Sequence, residues 1–406
     1  MSAQHGSDVA LPLAGIRVLE FCHTIMGPSA GLILADLGAD VIKIEREGMG
    51  DETRAWGPPF VQGKNRENLS SAYYHAINRN KRSVAADFRK KEDVELVLAL
   101  AREADVLIEN YKVGDLAKFG LDYPALAKIN ARLVYCSITG FGQSGPYAHR
   151  PGYDFVIQGM GGIMDITGEA GGEPQKPGVA YADVFTGVYS ALAIEAALLA
   201  RQRTGAGQHI DMALLDVQMS VLANQALFYL VSGAPPRRLG NSHATVVPYG
   251  VFPTSDGYMI IAVGNDGQYR SFCKVLGREE LADDPRFRAN SDRVKNRPLL
   301  IELMHAETRK HTRAELSAAL EKAGVPVGPI NDIADAFADP QVRHRKVRVD
   351  LAEEVEGGVT IPGVRTPIAL SETPLRYDHP SPRLGEHGEE IRAAVRAGRP
   401  AFRALG

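Results

Sequence analysis

Asp183 is the carboxylate whose setting suggests chemistry. It stands in Gly178–Gly187 (GVAYADVFTG), behind a glycine-rich stretch and ahead of a long apolar helix pattern. Two roles fit that setting. An aspartate just before a helix caps it by accepting hydrogen bonds from the first N–H groups. A helix N-terminus also favours the ionised carboxylate, so a cap and a functional carboxylate are compatible there. A second motif, Gly27-Pro28-Ser29-Ala30-Gly31, fits GxSxG, the turn that presents a nucleophilic serine. Cys22–Met26 separate it from the preceding strand pattern, whereas that turn must follow the strand directly. A proline and small residues opening a helix are more simply packing. Four cations sit near strand patterns: Arg46, Lys81 and Arg82 in Asn78–Ser83 (NRNKRS), and Lys112. Alone, each reads as a solvated charge; together at one sheet rim they suit a polyphosphate.

Other signatures fail. There is no GxGxxG after the first strand and no GxxxxGK[ST], so neither a dinucleotide fingerprint nor a P-loop is supported. HExxH is absent, and Cys22, Cys136 and Cys273 lie far apart with no CxxC. No metal site, redox pair or tightly bound cofactor is expected. Lys and Arg number 46 against 49 Asp and Glu, which argues against nucleic acid as a partner. The longest apolar stretch, Ser190–Ala200, is broken by Glu195 and falls short of the ~20 residues of a membrane span. The N-terminus lacks a basic-then-apolar leader, so a cytoplasmic protein is expected.

The elements that must position these residues alternate. Strand patterns occur at Gly15–Phe21, Ala39–Glu45, Ser83–Phe88, Asp105–Glu109 and Leu133–Ile138. Helical ones occur at Gly27–Leu37, Lys91–Glu103, Pro124–Lys128 and Phe185–Arg203, the last stopped by Gly205. This rhythm predicts an α/β fold with a parallel, helix-covered sheet and a ligand at its carboxyl ends. Pro151–Gly178, with eight glycines, reads as mobile loop. A strand from Gln208 leads to a helix ending near Val231, and Ser232–Arg238 (SGAPPRR) marks a boundary. A strand at Tyr258–Val263 and helices at Asp266–Leu276, Arg297–Arg309 and Thr312–Ala323 then make a smaller α+β unit. A strand at Val359–Pro362 and a helix at Glu389–Ala397 close the chain.

The ordered set of motifs resembles class III CoA-transferases, the CaiB/BaiF family. The matches begin with Leu13–Glu20 (LAGIRVLE), Gly27-Pro28, Leu37–Glu45 (LGADVIKIE) and Gly50-Asp51. They continue through Asn80–Ser83 (NKRS), Ile138–Gly145 (ITGFGQSG), Pro151–Asp154 (PGYD) and Thr204–Gln208 (TGAGQ) to Gly324–Asn331 (GVPVGPIN) and Leu384–His387 (LGEH). The resemblance implies a Rossmann-like large domain built from 1–231 and 331–406, a small domain at 232–330, and an interlocked homodimer. It makes Asp183 the nucleophile, ionised at its ordinary pKa of ~3.9, that carries CoA between acids through an aspartyl anhydride and an aspartyl-CoA thioester. Backbone N–H groups near Asp183 or in a glycine loop would steady the oxyanions.

CoA contacts implied position by position are His23, Ile25, Met26, Arg46, Ala86, Arg89, Asn110, Tyr111, Lys118 and the Thr139-Gly140-Phe141-Gly142 loop. Tyr153 stands where racemases of the superfamily carry histidine, a poor α-proton base that disfavours racemisation. Asn241–Tyr249 replaces the polyglycine lid of formyl-CoA:oxalate transferases. That stretch, Thr53–Phe60 and Gly264-Asn265 are most similar to succinyl-CoA:dicarboxylate transferases of the succinate–hydroxymethylglutarate type. Succinyl-CoA would be the donor and a C4–C6 dicarboxylic acid the acceptor, with Arg54 and His243 on its distal carboxylate. Unless so used, Arg54 would pair with Asp51 or Glu52.

Overall fold

The computed structural model describes residues 10–63, 66–351 and 360–403. Six strands make the central sheet: β1 (Arg17–Phe21), β2 (Asp40–Arg46), β3 (Lys81–Ala86), β4 (Val106–Glu109), β5 (Val134–Thr139) and β6 (His209–Ala213). All pairings are parallel and the order is β3-β2-β1-β4-β5-β6. This is the Rossmann order, whose direction switches at β1 and opens a crevice there. β4 and β5 are buried along their whole length, as a helix-covered parallel sheet requires, whereas β1, β2 and β3 carry buried charged residues among their apolar ones. Leu19, Phe21, Ile42, Ile44, Leu107 and Tyr135 face one core. Val18, Val41, Val106, Ile108, Val134 and Cys136 face the other.

Five helices matter for the site: α1 (Met26–Asp36), α2 (Lys91–Glu103), α3 (Asp154–Met160), α4 (Tyr181–Thr204) and α5 (Leu214–Val221). α4 crosses from β5 to β6 and packs on α1. It begins four residues before the expected Phe185 and ends on Gly205 at φ 73°. Against expectation, it is long and apolar enough to cross a membrane. Half of its most apolar stretch is buried inside the protein, as in a core helix. The stretch read as mobile loop contains α3 and a short helix, Ile163–Ile166.

β3 also departs from the pattern, starting at Lys81 instead of Ser83. Lys81 and Arg82 are therefore inside the sheet, each 2% exposed. Lys81 Nζ lies 2.9 Å from Glu20 Oε2, and Arg82 binds Asp40. They are structural counter-ions and leave the expected rim of phosphate-facing cations. The chain's last segment completes this strand's surroundings. Asn80 donates its N–H to the His379 carbonyl at 3.0 Å, Ser83 its N–H to His387 Nδ1 at 3.2 Å, and Arg82 Nη2 reaches the Ala401 carbonyl at 3.1 Å.

The chain divides into two units: Met1–Ile163 with Pro177–Val231 and Arg343–Gly406, and Met164–Lys176 with Ser232–Val342. The sequence boundary at 232 coincides with a division, but residues 331–342 and the loop 164–176 go with the smaller unit. Arg238 holds that loop, binding the Asp165 carbonyl at 2.8 Å and its carboxylate at 3.0 Å. In this unit β7 (Tyr249–Thr254), β8 (Gly257–Ala262) and β9 (Val327–Pro329) form an antiparallel sheet in the order β9-β8-β7. Phe252, Met259, Ile261, Phe272, Leu300 and Leu320 fill its core. β7 is missing from the sequence reading because Pro253 interrupts its β pattern. The last expected strand appears as Ile361–Val364, and Val359 lies outside the described residues.

Candidate active site

The site starts with the crevice. His23 follows β1 and Asn110 follows β4, and the two are zipped together. The His23 N–H donates to Asn110 Oδ1 at 3.1 Å, and Asn110 Nδ2 donates to the His23 carbonyl at 2.8 Å. His23, Arg46 and Tyr111 line one cavity of about 180 Å³ with Met49, Gly50 and Asp51. Burial lowers the His23 pKa against the pull of Asp51, so the imidazole is neutral. Arg46, at the end of β2, is exposed. Of the other expected contacts, Ala86 ends β3 and Met26 begins α1 just after Ile25. Arg89 and Lys118 are exposed and held by Asp87 and Asp115, outside this cavity.

The loop from Cys22 to Met26 is clamped from beneath. Thr24 has a φ of 66°, a strained value for a β-branched residue. Its N–H donates to Asp51 Oδ1 at 3.3 Å. Asp51 Oδ2 lies 3.0 Å from Lys43 Nζ, which also binds Glu20 Oε1 at 2.9 Å. The Lys43, Glu20 and Asp51 side chains are fully buried. Burial opposes both charges, but the pairing outweighs it: Lys43 is raised and Asp51 held at about 2.

Two glycines allow the close approaches around Asp183 and Asp154. A Cβ at Gly187, one turn beyond Asp183, would stand 2.7 Å from Ser29 Cβ and 2.9 Å from the Met26 carbonyl. α1 and α4 can touch there only because residue 187 has no side chain. Ser29 is thus a packing residue on α1, and the GxSxG motif is no nucleophile turn. At Gly140 a Cβ would lie 2.5 Å from the Gly152 Cα, so the Thr139–Gly142 loop is pressed against the segment that carries Asp154.

Asp183 is in the first turn of α4, not at its cap, which is Ala180. Asp154, which the sequence reading passed over, caps α4 from α3. Its Oδ1 accepts from the Ala182 N–H at 2.9 Å and the Asp183 N–H at 3.3 Å, and its Oδ2 accepts from Gln158 at 2.7 Å. Two consequences correct the sequence expectations. The N–H of Asp183 is spent on Asp154 and does not face an oxyanion. The Asp183 carboxyl is pushed up to about 7, by burial first and by Asp154 second, instead of keeping its ordinary value. It is 7% exposed, and its Oδ1 is buried with no hydrogen-bond partner. Burial first, and then the charges of Asp183, Asp154 and Asp51, push Tyr73 up to about 12. Its ring sits edge-on to Trp56 at 5.3 Å. It is a neutral phenol within electrostatic reach of Asp183 and Asp154, and nothing in its local sequence marks it.

Arg54, expected on the distal carboxylate, is held inside the fold. Its Nε and Nη2 bind both oxygens of Glu45 at 2.8 and 2.7 Å, and Nη2 also reaches the Tyr74 hydroxyl and the Pro382 carbonyl. It pairs with neither Asp51 nor Glu52. Arg54→Ala removes the guanidinium from Glu45, 3% exposed, and leaves its carboxylate only the Ser83 hydroxyl and the Asp51 N–H. We expect a stability loss of about 3–5 kcal/mol in denaturant unfolding. Dicarboxylic and monocarboxylic acceptors should slow by the same factor; a selective loss with dicarboxylates would restore the binding role. His243, in the smaller unit, accepts at Nδ1 from the Thr245 and Val246 N–H groups at 3.2 and 3.1 Å, so its Nε2 carries the proton. It can offer a hydrogen bond but no positive charge in that state.

Among the described residues no group of three or more potential ligands could hold a metal, and the three cysteines are free and buried. The model of CoA-transferase family III matches residues 13–388. A succinate–glutarate CoA-transferase of Agrobacterium fabrum is 57% identical over 95% of this chain and 96% of its own length. A succinyl-CoA:glutarate CoA-transferase of Mus musculus is 41% identical over 96% and 87%. The crystal structure of a CaiB/BaiF family protein from Brucella suis superposes with a TM-score of 0.85 at 55% identity, covering 95% of this chain and all of that one.

Proposed function

The chain belongs to CoA-transferase family III, and on that premise we propose that it moves CoA from succinyl-CoA to a C4–C6 dicarboxylic acid, glutarate first. The observation that carries the reaction is the unpartnered, desolvated carboxylate of Asp183 beside the crevice loop. A raised pKa makes the ionised form more basic and so a stronger nucleophile.

The steps balance without ATP or metal. The Asp183 carboxylate attacks the succinyl thioester carbonyl, and the C–S bond breaks to give a mixed anhydride and CoA thiolate. The thiolate attacks the aspartyl carbonyl, releasing succinate and leaving an aspartyl-CoA thioester. The acceptor carboxylate attacks that thioester, and the sequence reverses to deliver its acyl-CoA. The Tyr73 phenol is the donor we assign to the developing oxyanions, since Asp154 takes the backbone N–H groups of Ala182 and Asp183. Burial of Asp183 limits water, which would hydrolyse the anhydride.

The test mixes succinyl-CoA with glutarate, mesaconate, malate, itaconate, hydroxymethylglutarate, oxalate and aromatic acids and reads new acyl-CoAs by mass. Glutaryl-CoA formed in proportion to succinate released supports the reading. Release of CoA without a new thioester, or α-proton exchange without an acceptor, would overturn it.

We also propose the homodimer. α4 leaves Val184, Val188, Leu192 and Leu199 exposed, and the helix Asn224–Ser232 exposes Leu227, Leu230 and Val231. Apolar faces of this extent mark an interface. Sedimentation should give twice the 43.9 kDa chain mass; a monomer would refute the dimer.

A further inference from the structure

Asp154 is held from two sides. Its Oδ1 takes the Ala182 and Asp183 N–H groups of α4, and its Oδ2 takes the side-chain amide of Gln158, one turn along α3. An ionised carboxylate only accepts, so the amide must face it with Nε2. Gln158 is 0% exposed, and its Oε1 is buried with no hydrogen-bond partner. An orphaned acceptor costs about what one hydrogen bond to a charged group returns. The amide therefore adds little to stability, and an apolar side chain of similar size would fill the same place. What it does fix is direction. Asp154 is half-buried and could turn towards water; with Oδ2 tied to Gln158, Oδ1 stays on the first turn of α4.

That direction matters because few charges act on Asp183. Asp154 is the one charged residue of α3. Asp36 on α1 is bound to Arg79, Asp216 on α5 is exposed, and β5 carries no charge. On β6, His209 bonds Ser137 and Asp211 takes the Gln143 N–H. The other charged residues of α4 begin at Glu195, further along the helix, and Tyr73 is neutral. In place, Asp154 occupies the Asp183 N–H and sets a like charge near the Asp183 carboxyl. Both keep that carboxylate basic. Turned away, it would free N–H groups at a helix N-terminus, which stabilise an anion and blunt it as a nucleophile.

We propose that Gln158 is a positioning residue of the transfer site: by holding Asp154 against the first turn of α4, it keeps the Asp183 carboxylate strongly nucleophilic. The role deepens the transfer reading and rests on it.

The test compares the full-length parent, Gln158→Met, Asp154→Asn and the double variant with succinyl-CoA and glutarate. It reads kcat, KM and the pH midpoint of kcat/KM. In Gln158→Met the midpoint should fall by at least ~0.5 unit and kcat by roughly tenfold, with KM for succinyl-CoA little changed. In the Asp154→Asn background the same substitution should move neither. Gln158→Leu takes its place should Gln158→Met not fold. An unmoved midpoint in Gln158→Met, or an equal fall in the Asp154→Asn background, would overturn the assignment. So would a raised KM at unchanged kcat, which would put the amide on the substrate. A parent that transfers nothing would sink the transfer reading alone. The pH dependence of the stability gained by Asp183→Asn, with and without Gln158→Met, then reads the same midpoint without turnover, and an unmoved one there would overturn the positioning role.

Discussion

Asp183→Asn should lower CoA transfer by at least ~10⁴-fold, the scale of removing a covalent nucleophile, and should yield a more stable protein at pH 8. The two effects share one cause. Asp183 is buried and faces Asp154, so its carboxyl is pushed up to about 7. A group whose folded pKa is raised binds its proton more tightly folded than unfolded. Above the unfolded value, folding must therefore hold the group protonated or bury its charge. The penalty grows from the ordinary carboxylate pKa up to about 7 and is constant beyond. Asparagine removes it, a gain of up to ~4 kcal/mol at pH 8 that shrinks to nothing near pH 4. The same ionisation predicts that kcat/KM of the parent rises with pH and levels off above about 7, with half the limiting value near that pH. Denaturant unfolding at pH 4 and pH 8, with rates measured between pH 5.5 and 8.5, checks all three. Retained transfer in the variant, or lower stability at pH 8, would break the assignment.

Lys43→Met is expected to act the other way, costing about 3–5 kcal/mol of stability. Methionine matches the length of the lysine stem, so packing is nearly kept while one charge is lost. Glu20 is also bound by Lys81, at 2.9 Å, and keeps a partner. Asp51 loses the ammonium that holds its carboxyl at about 2, and it is the acceptor for the Thr24 N–H. The crevice loop should therefore loosen as the fold weakens. Stability from the depressed Asp51 is present above the ordinary carboxylate pKa and lost as pH falls towards about 2. The parent and variant curves should therefore converge in acid. A variant that unfolds within 1 kcal/mol of the parent at pH 7 would show that water, not Lys43, solvates these carboxylates.

Much of this was legible from the chain. The strand patterns of β1, β2, β4 and β5 and the helix pattern of α2 follow from local periodicity, and Asp183 stands out as an acid between a glycine-rich loop and an apolar helix. What escaped was set by contacts distant in sequence. Lys81 and Arg82 look like loop cations until Glu20 and Asp40, 61 and 42 positions away, neutralise them inside the sheet. Arg54 reads as a substrate ligand until Glu45 takes its fork. Asp154 gives no local signal because it caps a helix 28 residues downstream. The pKa of Asp183 depends on that partner and on burial, neither of which appears in ten residues of sequence.

The debt of β3 to the end of the chain has a consequence for biosynthesis. Arg82 donates to a carbonyl 319 positions later. At ~5–20 residues added per second, that carbonyl leaves the ribosome about 15–65 s after Arg82 does. Throughout that interval the outer edge of the sheet, with its buried cations, waits without its final cover. The large unit can close only after the smaller one has been made in full, so nascent chains should depend on chaperones most between those two moments.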